Sequence, residues 1–321
     1  MKKIANRFFA AVFSIYLFTA TVFAADVLVP VGEVVGLELS TGSVTVAAFD
    51  DTLQVGRNGG LQIGDAILSI DGSAVTNAED VRRALNQSDG SVEITVSRRG
   101  QEKCSRLSPA ITTDGPRLGV YLRQGITGIG TVTWYNPDTG AFGTLGHGVS
   151  SGKGDLLQMT SGKIYPASII SVQKGKSGSP GQLKGALEAD HLLGTISANT
   201  SQGVFGRAPG AWTGEAIPVA TFSEIHTGSA LIRSTITGSV PRDYSVEILK
   251  IYPKTRSDGR NFLLKVTDPT LLGTTGGIVQ GMSGSPIIQD GKLIGAVTHV
   301  LVNDPTTGYG IFIENMLDAA G

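Results

Sequence analysis

A mainly β fold is what this sequence predicts, and three observations predict it. The 321-residue chain holds 44 glycines, few aromatic residues, and a series of short alternating apolar runs bounded by Gly, Asn or Asp. Together these describe many strands joined by tight turns. The length suffices for two domains with ample core. A net charge of −1 with acids and bases interspersed leaves no footprint for nucleic acid. The single cysteine, Cys104, excludes a disulfide framework and a Cys-rich metal site. It reads as a partly buried small side chain, and neither a metal nor another cofactor is expected.

The first element is an amino-terminal hydrophobic segment. Lys2, Lys3 and Arg7 precede an apolar run over residues 8–25. Such a charge order exports whatever follows. At 18 residues the run is near the lower limit for spanning a bilayer. Residues 1–25 are thus either a cleaved signal peptide or a retained anchor.

Residues 58–75 carry the next signal. Gly60-Leu61-Gln62-Ile63-Gly64-Asp65 turns into an alternating strand, Ala66–Ile70, and Asp71-Gly72 supplies a tight turn. Thr76 and Glu79 have capping-box spacing, with Val81, Ala84 and Leu85 on one helix face. Ser91–Arg98 alternates as a further strand. This order resembles a PDZ domain of the bacterial protease-associated type over residues 26–108. PDZ domains add a peptide to a sheet edge and hold its terminal carboxylate on loop N–H groups. Val34-Val35-Gly36-Leu37 is the expected peptide-binding loop.

Ser108-Pro109 to Pro116 is turn-rich and marks the expected boundary, leaving residues 109–321 as a second domain. Within it, Gly130–Tyr135 alternates as a strand, Asn136–Gly140 is a turn, and Ala141–Leu145 leads into Gly146-His147-Gly148. His147 is flanked by glycines at a hairpin end, so it suits a cleft. His191 and His226 lie in polar settings, and His299 falls after the serine motif. That motif is Gly281-Met282-Ser283-Gly284-Ser285-Pro286, followed by strand, turn and strand. An attacking serine needs its hydroxyl on a sharp turn with backbone N–H groups free for the oxyanion. The pattern resembles the nucleophile loop of chymotrypsin-like serine proteases, with Gly281 and Ser283 N–H as the expected oxyanion hole. The acids available between His147 and Ser283 are Asp155, Asp190, Asp243, Asp258 and Asp268. Asp268 ends the strand Phe262–Val266 before Pro269, so it suits either a triad acid or the cap of the turn. Gly175-Lys176-Ser177-Gly178-Ser179-Pro180 mimics the serine motif, but the strands after it carry polar breaks; it reads as a turn in the other half of a duplicated barrel.

Leu145–Gly148, Leu193–Thr200 and the block from Gly277 to Val300 together resemble the SpoIVB peptidases, serine proteases of endospore-forming bacteria. The resemblance implies a hydrophobic segment, a PDZ domain and a chymotrypsin-like double β-barrel peptidase domain. It implies His147 as base, Ser283 as nucleophile and Asp268 as acid, although Asp268 stands only 15 residues before Ser283. Thr298, His299 and Val300 fall where such enzymes build a specificity pocket. The family further implies export across the forespore membrane, self-cleavage of the amino-terminal region, and a substrate that is a membrane-protein regulator of an intramembrane protease acting on a sigma-factor precursor. A PDZ scaffold with a degenerate protease domain is the alternative from another class.

Overall fold

The computed structural model describes residues 27–151, 154–256 and 258–321. The expected hydrophobic segment lies outside them. Among the described residues no helix is long and apolar enough to cross a membrane.

The chain opens with β1 (Val27–Pro30) and the long β2 (Val34–Phe49). There follow β3 (Ala66–Ile70), α1 (Ala78–Gln87), β4 (Val92–Arg98) and β5 (Gln101–Leu107). A second long strand, β6 (Val120–Tyr135), leads to β7 (Ala141–Thr144), β8 (Ser161–Gln173), β9 (Gln182–Leu187), β10 (Gly194–Thr200) and β11 (Gly203–Arg207). The last part contains β12 (Gly228–Ser234), β13 (Arg242–Ile251), β14 (Phe262–Val266) and α2 (Pro269–Thr275). It ends with β15 (Pro286–Gln289), β16 (Lys292–Leu301), β17 (Asp304–Phe312) and α3 (Ile313–Ala320).

Two rings of antiparallel strands result. Pairings β2–β6–β7–β11–β10–β8 return to β2 and close the first. The second is a closed barrel in the order β12–β13–β14–β17–β16–β15. Closure leaves neither barrel with open edges, which suits short strands and abundant turns. Leu37, Leu39, Val132, Phe142, Ile164 and Val204 fill the first core. Ile232, Val246, Phe262, Leu264, Met282, Ile287 and Phe312 fill the second. There Phe262 meets Phe312 edge-on at 4.5 Å between ring centroids, a geometry that adds about 1 kcal/mol beyond burial.

The PDZ unit does not precede the peptidase fold; it is inserted into it. In β2, Val34–Ser40 pair with β6 inside the first barrel, and Thr45–Phe49 pair with the start of β6 (Val120–Arg123) outside it. The register shift between Ser40 and Thr45 is the joint. Gly125 lies there against the Leu39 carbonyl, where any side chain would collide. β3, β4, β5 and α1 then build a separate core of Val44, Ile67, Ile70, Val81, Leu85, Val92, Ile94 and Val96. Buried Asp65 receives the Arg98 guanidinium through two 2.7 Å bonds. The expected division at residues 26, 108 and 109 therefore does not follow the strands. Residues 27–40 belong to the peptidase barrel, and Ala110–Thr112 with Gly115–Arg117 form a small hairpin rather than a linker.

Other local expectations shift by small amounts. Asn77, not Thr76, caps α1 by accepting from the Asp80 N–H, while Thr76 binds the Asp80 carboxylate. Cys104 is exposed within β5.

Candidate active site

The Ser283 loop is built by backbone that only glycine permits. Gly281 has φ +100° and Gly284 φ +95°. A Cβ on Gly284 would run into the Thr131 carbonyl, so this loop and β6 pack backbone to backbone. The Thr131 N–H donates to the Ser283 carbonyl at 3.1 Å, and the Thr131 and Thr133 hydroxyls donate to Gly281 and Gly284 carbonyls. On the other side the Gly284 N–H donates to the Val297 carbonyl at 2.8 Å. The loop is held by both barrels, with Met282 buried beneath it. Ser285 is buried and donates to Ser234, so it is unavailable for attack.

Within the loop the N–H groups of Gln280, Met282, Gly284 and Ser285 each reach a carbonyl. Those of Gly281 and Ser283 donate to no backbone carbonyl among the described residues. Two free donors beside the serine are the requirement for holding an oxyanion.

His147 arrives from the first barrel. Leu145 (φ +69°) and Gly146 (φ +67°) turn the chain sharply after β7. His147 is half-buried and its Nδ1 donates to the Gly148 carbonyl at 2.9 Å. That bond fixes the tautomer and leaves the lone pair on Nε2, the atom a general base uses. Burial holds the imidazole below the ordinary histidine range, against the opposing pull of the Gly148 carbonyl. His147 and Ser283 open onto one cleft of about 760 Å³, shared by Leu37, Leu39, Leu145, Asp258, Gln280 and His299. The Ser283 hydroxyl itself donates to the Thr298 carbonyl at 2.9 Å. A hydroxyl has one proton, so proton transfer to His147 requires exchanging that bond by a rotation about χ1.

Asp268 is not brought to His147. Its carboxylate accepts from the Thr270 and Leu271 N–H groups at 2.9 Å, capping α2 ahead of Pro269. It stands beyond Val266, whereas the cleft lies at the Phe262 end of β14. The strand puts about 13 Å between these ends. The cap reading of this residue is what its hydrogen bonds show, and both of them fall on one carboxylate oxygen, Oδ1. The carboxylate that lines the cleft is Asp258, in the turn before β14. It is exposed and gripped through both oxygens by Arg256 at 2.7 and 2.9 Å, which pulls it below the usual carboxylate range. Sequence reasoning passed over Asp258 because its turn is Gly-rich and polar.

The three expected pocket residues divide. The Thr298 carbonyl holds Ser283 while its buried hydroxyl donates to Gly259. His299 lines the cleft, and Val300 packs towards the second core. His226 is exposed and pairs with Asp290 at 2.8 Å, and His191 is exposed beside Glu188. No cluster of metal-ligating side chains occurs among the described residues.

The expected peptide-binding loop is corrected. Val34–Leu37 sit inside β2, buried and paired with β6, and Val35–Leu37 are paired on their other side with β8. Backbone already paired twice has no N–H left for a peptide carboxylate. An open edge of the PDZ unit lies instead at the start of β6, beside α1. Leu118, Val120, Tyr121 and Leu122 face Val81 and Leu85 of α1 across a groove of about 370 Å³. Gly119 (φ +67°) makes the turn that enters it.

A family model described as SpoIVB peptidase S55 matches residues 114–317, and a PDZ domain model matches residues 54–99. No curated protein matches the chain. Among solved structures, the PDZ domain of the SdrC-like protein (Lmo2051) from Listeria monocytogenes is 23% identical. It covers 26% of this chain and 90% of that one at a TM-score of 0.23. The inactive form of the Rv3671c protease of M. tuberculosis is 15% identical, over 61% of this chain and 85% of that one, at a TM-score of 0.35. The S55 match spans well over half the chain and takes in His147, Ser283 and the cleft between them. The chain belongs to the SpoIVB peptidase S55 family and is a serine peptidase.

Proposed function

We propose that this peptidase is an exported endopeptidase of sporulation signalling. It acts on the extracytoplasmic side of the forespore membrane, anchored by its amino-terminal segment or released after processing. There it cleaves a membrane-protein regulator of an intramembrane protease and so frees that protease to act on a sigma-factor precursor. The family assignment supports the sporulation role, and the charged-then-apolar order of residues 2–25 supports export. One observation carries the endopeptidase reading. Ser283, His147 and Gly281 line one open cleft, and the Gly281 and Ser283 N–H groups there donate to no backbone carbonyl among the described residues.

Catalysis follows from those positions. The Ser283 hydroxyl leaves Thr298, passes its proton to His147 Nε2 and attacks the scissile carbonyl. The Gly281 and Ser283 N–H groups hold the oxyanion, each worth about 3–4 kcal/mol. His147 then returns the proton to the leaving amine. A peptide end added to the β6 edge beside α1 docks the partner.

The same enzyme shortens its own amino-terminal region. Val27–Pro30 and Val34–Leu37 are strand residues paired into the barrel, which supports a scissile bond ahead of Val27. Purified full-length protein should shorten with time and begin at or before Val27 by amino-terminal sequencing, while Ser283→Ala stays intact. Shortening of the variant at the wild-type rate would assign the cut to another protease. A fluorophosphonate probe tests the enzyme itself: labelling of wild type that disappears in Ser283→Ala is the expected result, and folded wild type that takes no label refutes it.

A further inference from the structure

One strand serves both the groove and the cleft. Val120, Tyr121 and Leu122, at the start of β6, line the groove beside α1. Ile126, Gly128 and Ile129, further along the same strand, line the cleft with Ser283. Over this stretch β6 pairs with β2 on one edge only, and β1 and β7 join it from Val132 onwards. Main-chain groups alternate in direction along a strand, and the bonds of two neighbours fix the phase. Thr131 donates to the Ser283 carbonyl and accepts from the Leu145 N–H, whereas Val132 donates to Glu33 on the β2 side. Thr127 and Ile129 share the phase of Thr131, so their N–H and C=O groups point out of the open edge. Thr127 and Gly128 are exposed there, and a Cβ on Gly281 would lie 3.4 Å from the Ile129 side chain. The open edge therefore runs from the groove to the serine loop.

The groove end of this edge sets the direction of its occupant. At the turn into β6 the Leu118 and Gly119 carbonyls accept from the Gly56 and Asp50 N–H groups, at 2.7 and 3.0 Å. The N–H groups of Leu118 and Gly119 donate to no backbone carbonyl among the described residues. Loop N–H groups left unengaged at the head of an open edge suit a terminal carboxylate. A chain anchored there by its end runs antiparallel to β6, and its upstream residues advance towards Thr127 and Ile129. We propose that the carboxy-terminal tail of the substrate spans groove and cleft as one added strand, so that the enzyme cuts at a set distance before that terminus. The proposal rests on the serine-peptidase and peptide-docking readings above.

The strand itself is the ruler. About 30 Å of it separates Val120 from Ile129. An antiparallel tail matches β6 residue for residue, which puts the scissile bond about 10–12 residues before the terminus. The β2–β6 ladder slips once, between the pairs Ser40–Gly125 and Thr45–Arg123. An added strand meets the same slip as a bulge, so the distance has a spread of about one residue. One side-chain bond, from the Ala78 N–H to Gln124 Oε1 at 3.1 Å, links β6 to the start of α1 and gives way to the tail. Val81, Leu85, Leu118 and Val120 line the groove, so an apolar last residue suits it. Docking there makes delivery of the upstream bond intramolecular and raises its effective concentration. Main-chain pairing reads no side chains, so position counts for more than sequence.

The test gives the full chain a pool of random-sequence peptides of about 24 residues, twice the expected span. Each ends in valine with a free carboxylate, and cut sites are mapped by mass spectrometry. Cuts should cluster about 10–12 residues from the terminus. Alanines inserted between cut and terminus should move the cut to a new bond at the old distance. Amidating the terminus removes the charge that the loop N–H groups hold and should slow these cuts about tenfold. Thr127→Pro deletes one outward N–H and spares the β2 ladder. Relative to Thr127→Ala, which keeps that N–H, it should cut free-tail peptides about fivefold more slowly. Cuts spread evenly along the pool, a cut that stays at its bond after insertion, or equal rates for acid and amide peptides overturn the proposal. If Thr127→Pro fails to fold by circular dichroism, acid and amide peptides on wild type decide. Acid peptides that bind Ser283→Ala no better than amides refute the docking reading and the proposal with it. Wild type that takes a fluorophosphonate label but cuts no free-tail peptide also overturns the proposal. Wild type that takes no label refutes the peptidase reading instead.

Discussion

Two loops in this chain share the pattern Gly-x-Ser-Gly-Ser-Pro, and they differ in what surrounds them: residues of the second line a cleft with His147. In residues 175–180 the Lys176 and Ser179 backbones exchange 2.9 Å bonds, a tight hairpin end. Ser177 is exposed and donates to the Asn303 carbonyl, and a Cβ on Gly178 would meet nothing. In residues 281–286 the same residue types sit between two barrels, with Met282 and Ser285 buried, Gly284 pressed on β6, and His147 and His299 in the same cleft. Local sequence makes a sharp serine turn in both places. Position between barrels puts one of them in a cleft with His147.

The segments flanking the two loops also touch. The Gly175 N–H donates to the Thr275 carbonyl at 2.8 Å, the Gln280 N–H to Gly181 at 2.9 Å, and the Leu183 N–H to Gln280 at 2.8 Å. Lys174 Nζ reaches the Gly273 carbonyl. The mimic's flanks thus strap down the segment leading into the real loop. The mimic turn thus has a structural task.

The sharpest way to break the comparison is to remove each serine. Ser283→Ala should abolish peptide cleavage, a loss of about 10⁶-fold on the precedent of a catalytic serine. His147→Ala should lose about as much, and the double variant little more, since the pair acts as a unit. Ser177→Ala should leave cleavage within twofold. Activity that survives in Ser283→Ala and disappears in Ser177→Ala would reverse the assignment of the two loops.

Replacing the second glycine of each loop comes next in size. Gly284→Ala puts a Cβ against the Thr131 carbonyl at a positive φ, so the loop must leave β6. Turnover should fall at least about 100-fold, the usual effect of a misplacement near 1 Å, with a lower Tm. Gly178→Ala meets no neighbour and carries only the cost of a positive φ, about 1–2 kcal/mol. Its turnover should stay near wild type. Equal kinetic losses in both variants would show that the strap, not the contact with β6, shapes the nucleophile loop.

A smaller effect separates the loops by pH. Neutral His147 is the active form and burial lowers its pKa, so the acid limb of kcat/KM should fall below the ordinary histidine value of about 6.5. The same depression makes the folded state bind fewer protons than the unfolded chain in that range. Stability should therefore decline as pH drops below about 6.5. A limb at or above 6.5 would mean that a carboxylate reaches His147 in the working enzyme.

What was legible in the sequence follows one rule. Features fixed by a few adjacent residues were readable: the Asp71-Gly72 turn (φ +48° and +75°), the strand Phe262–Val266, the serine loop and the glycine-flanked His147. Features set by partners distant in sequence were not. Val34–Leu37 has the composition of a binding loop, but its strand closes a barrel with β6 and β8, about 95 and 130 residues further on. The PDZ insertion was hidden for the same reason, because its two boundaries are halves of long strands and not a linker. Asp258 and His299 reach the cleft only through barrel closure and a bulge.

Asp268 brings the comparison to its finest point, because α2 leads into one loop and hydrogen-bonds to the start of the other. Its carboxylate caps the start of that helix, and the Thr275 carbonyl at the other end holds Gly175 of the mimic. Thr275 also donates to the Gly277 carbonyl on the way to Ser283. Were Asp268 the triad acid, Asp268→Asn would cost about 10⁴-fold in kcat through the wrong histidine tautomer. As a cap it behaves differently. Asn accepts the same two N–H bonds, so Asp268→Asn should keep kcat/KM within a few-fold and leave Tm nearly unchanged. Asp268→Ala leaves those N–H groups without their acceptor and should cost about 1 kcal/mol of stability, with a Tm lower by about 2–4 °C. Because α2 is short and both loops hang from its far end, the Ala variant should also label somewhat more slowly with a fluorophosphonate, while the Asn variant should not. A 10⁴-fold loss in a folded Asn variant would place Asp268 at His147 after all, and the strap would then have to move for catalysis to occur.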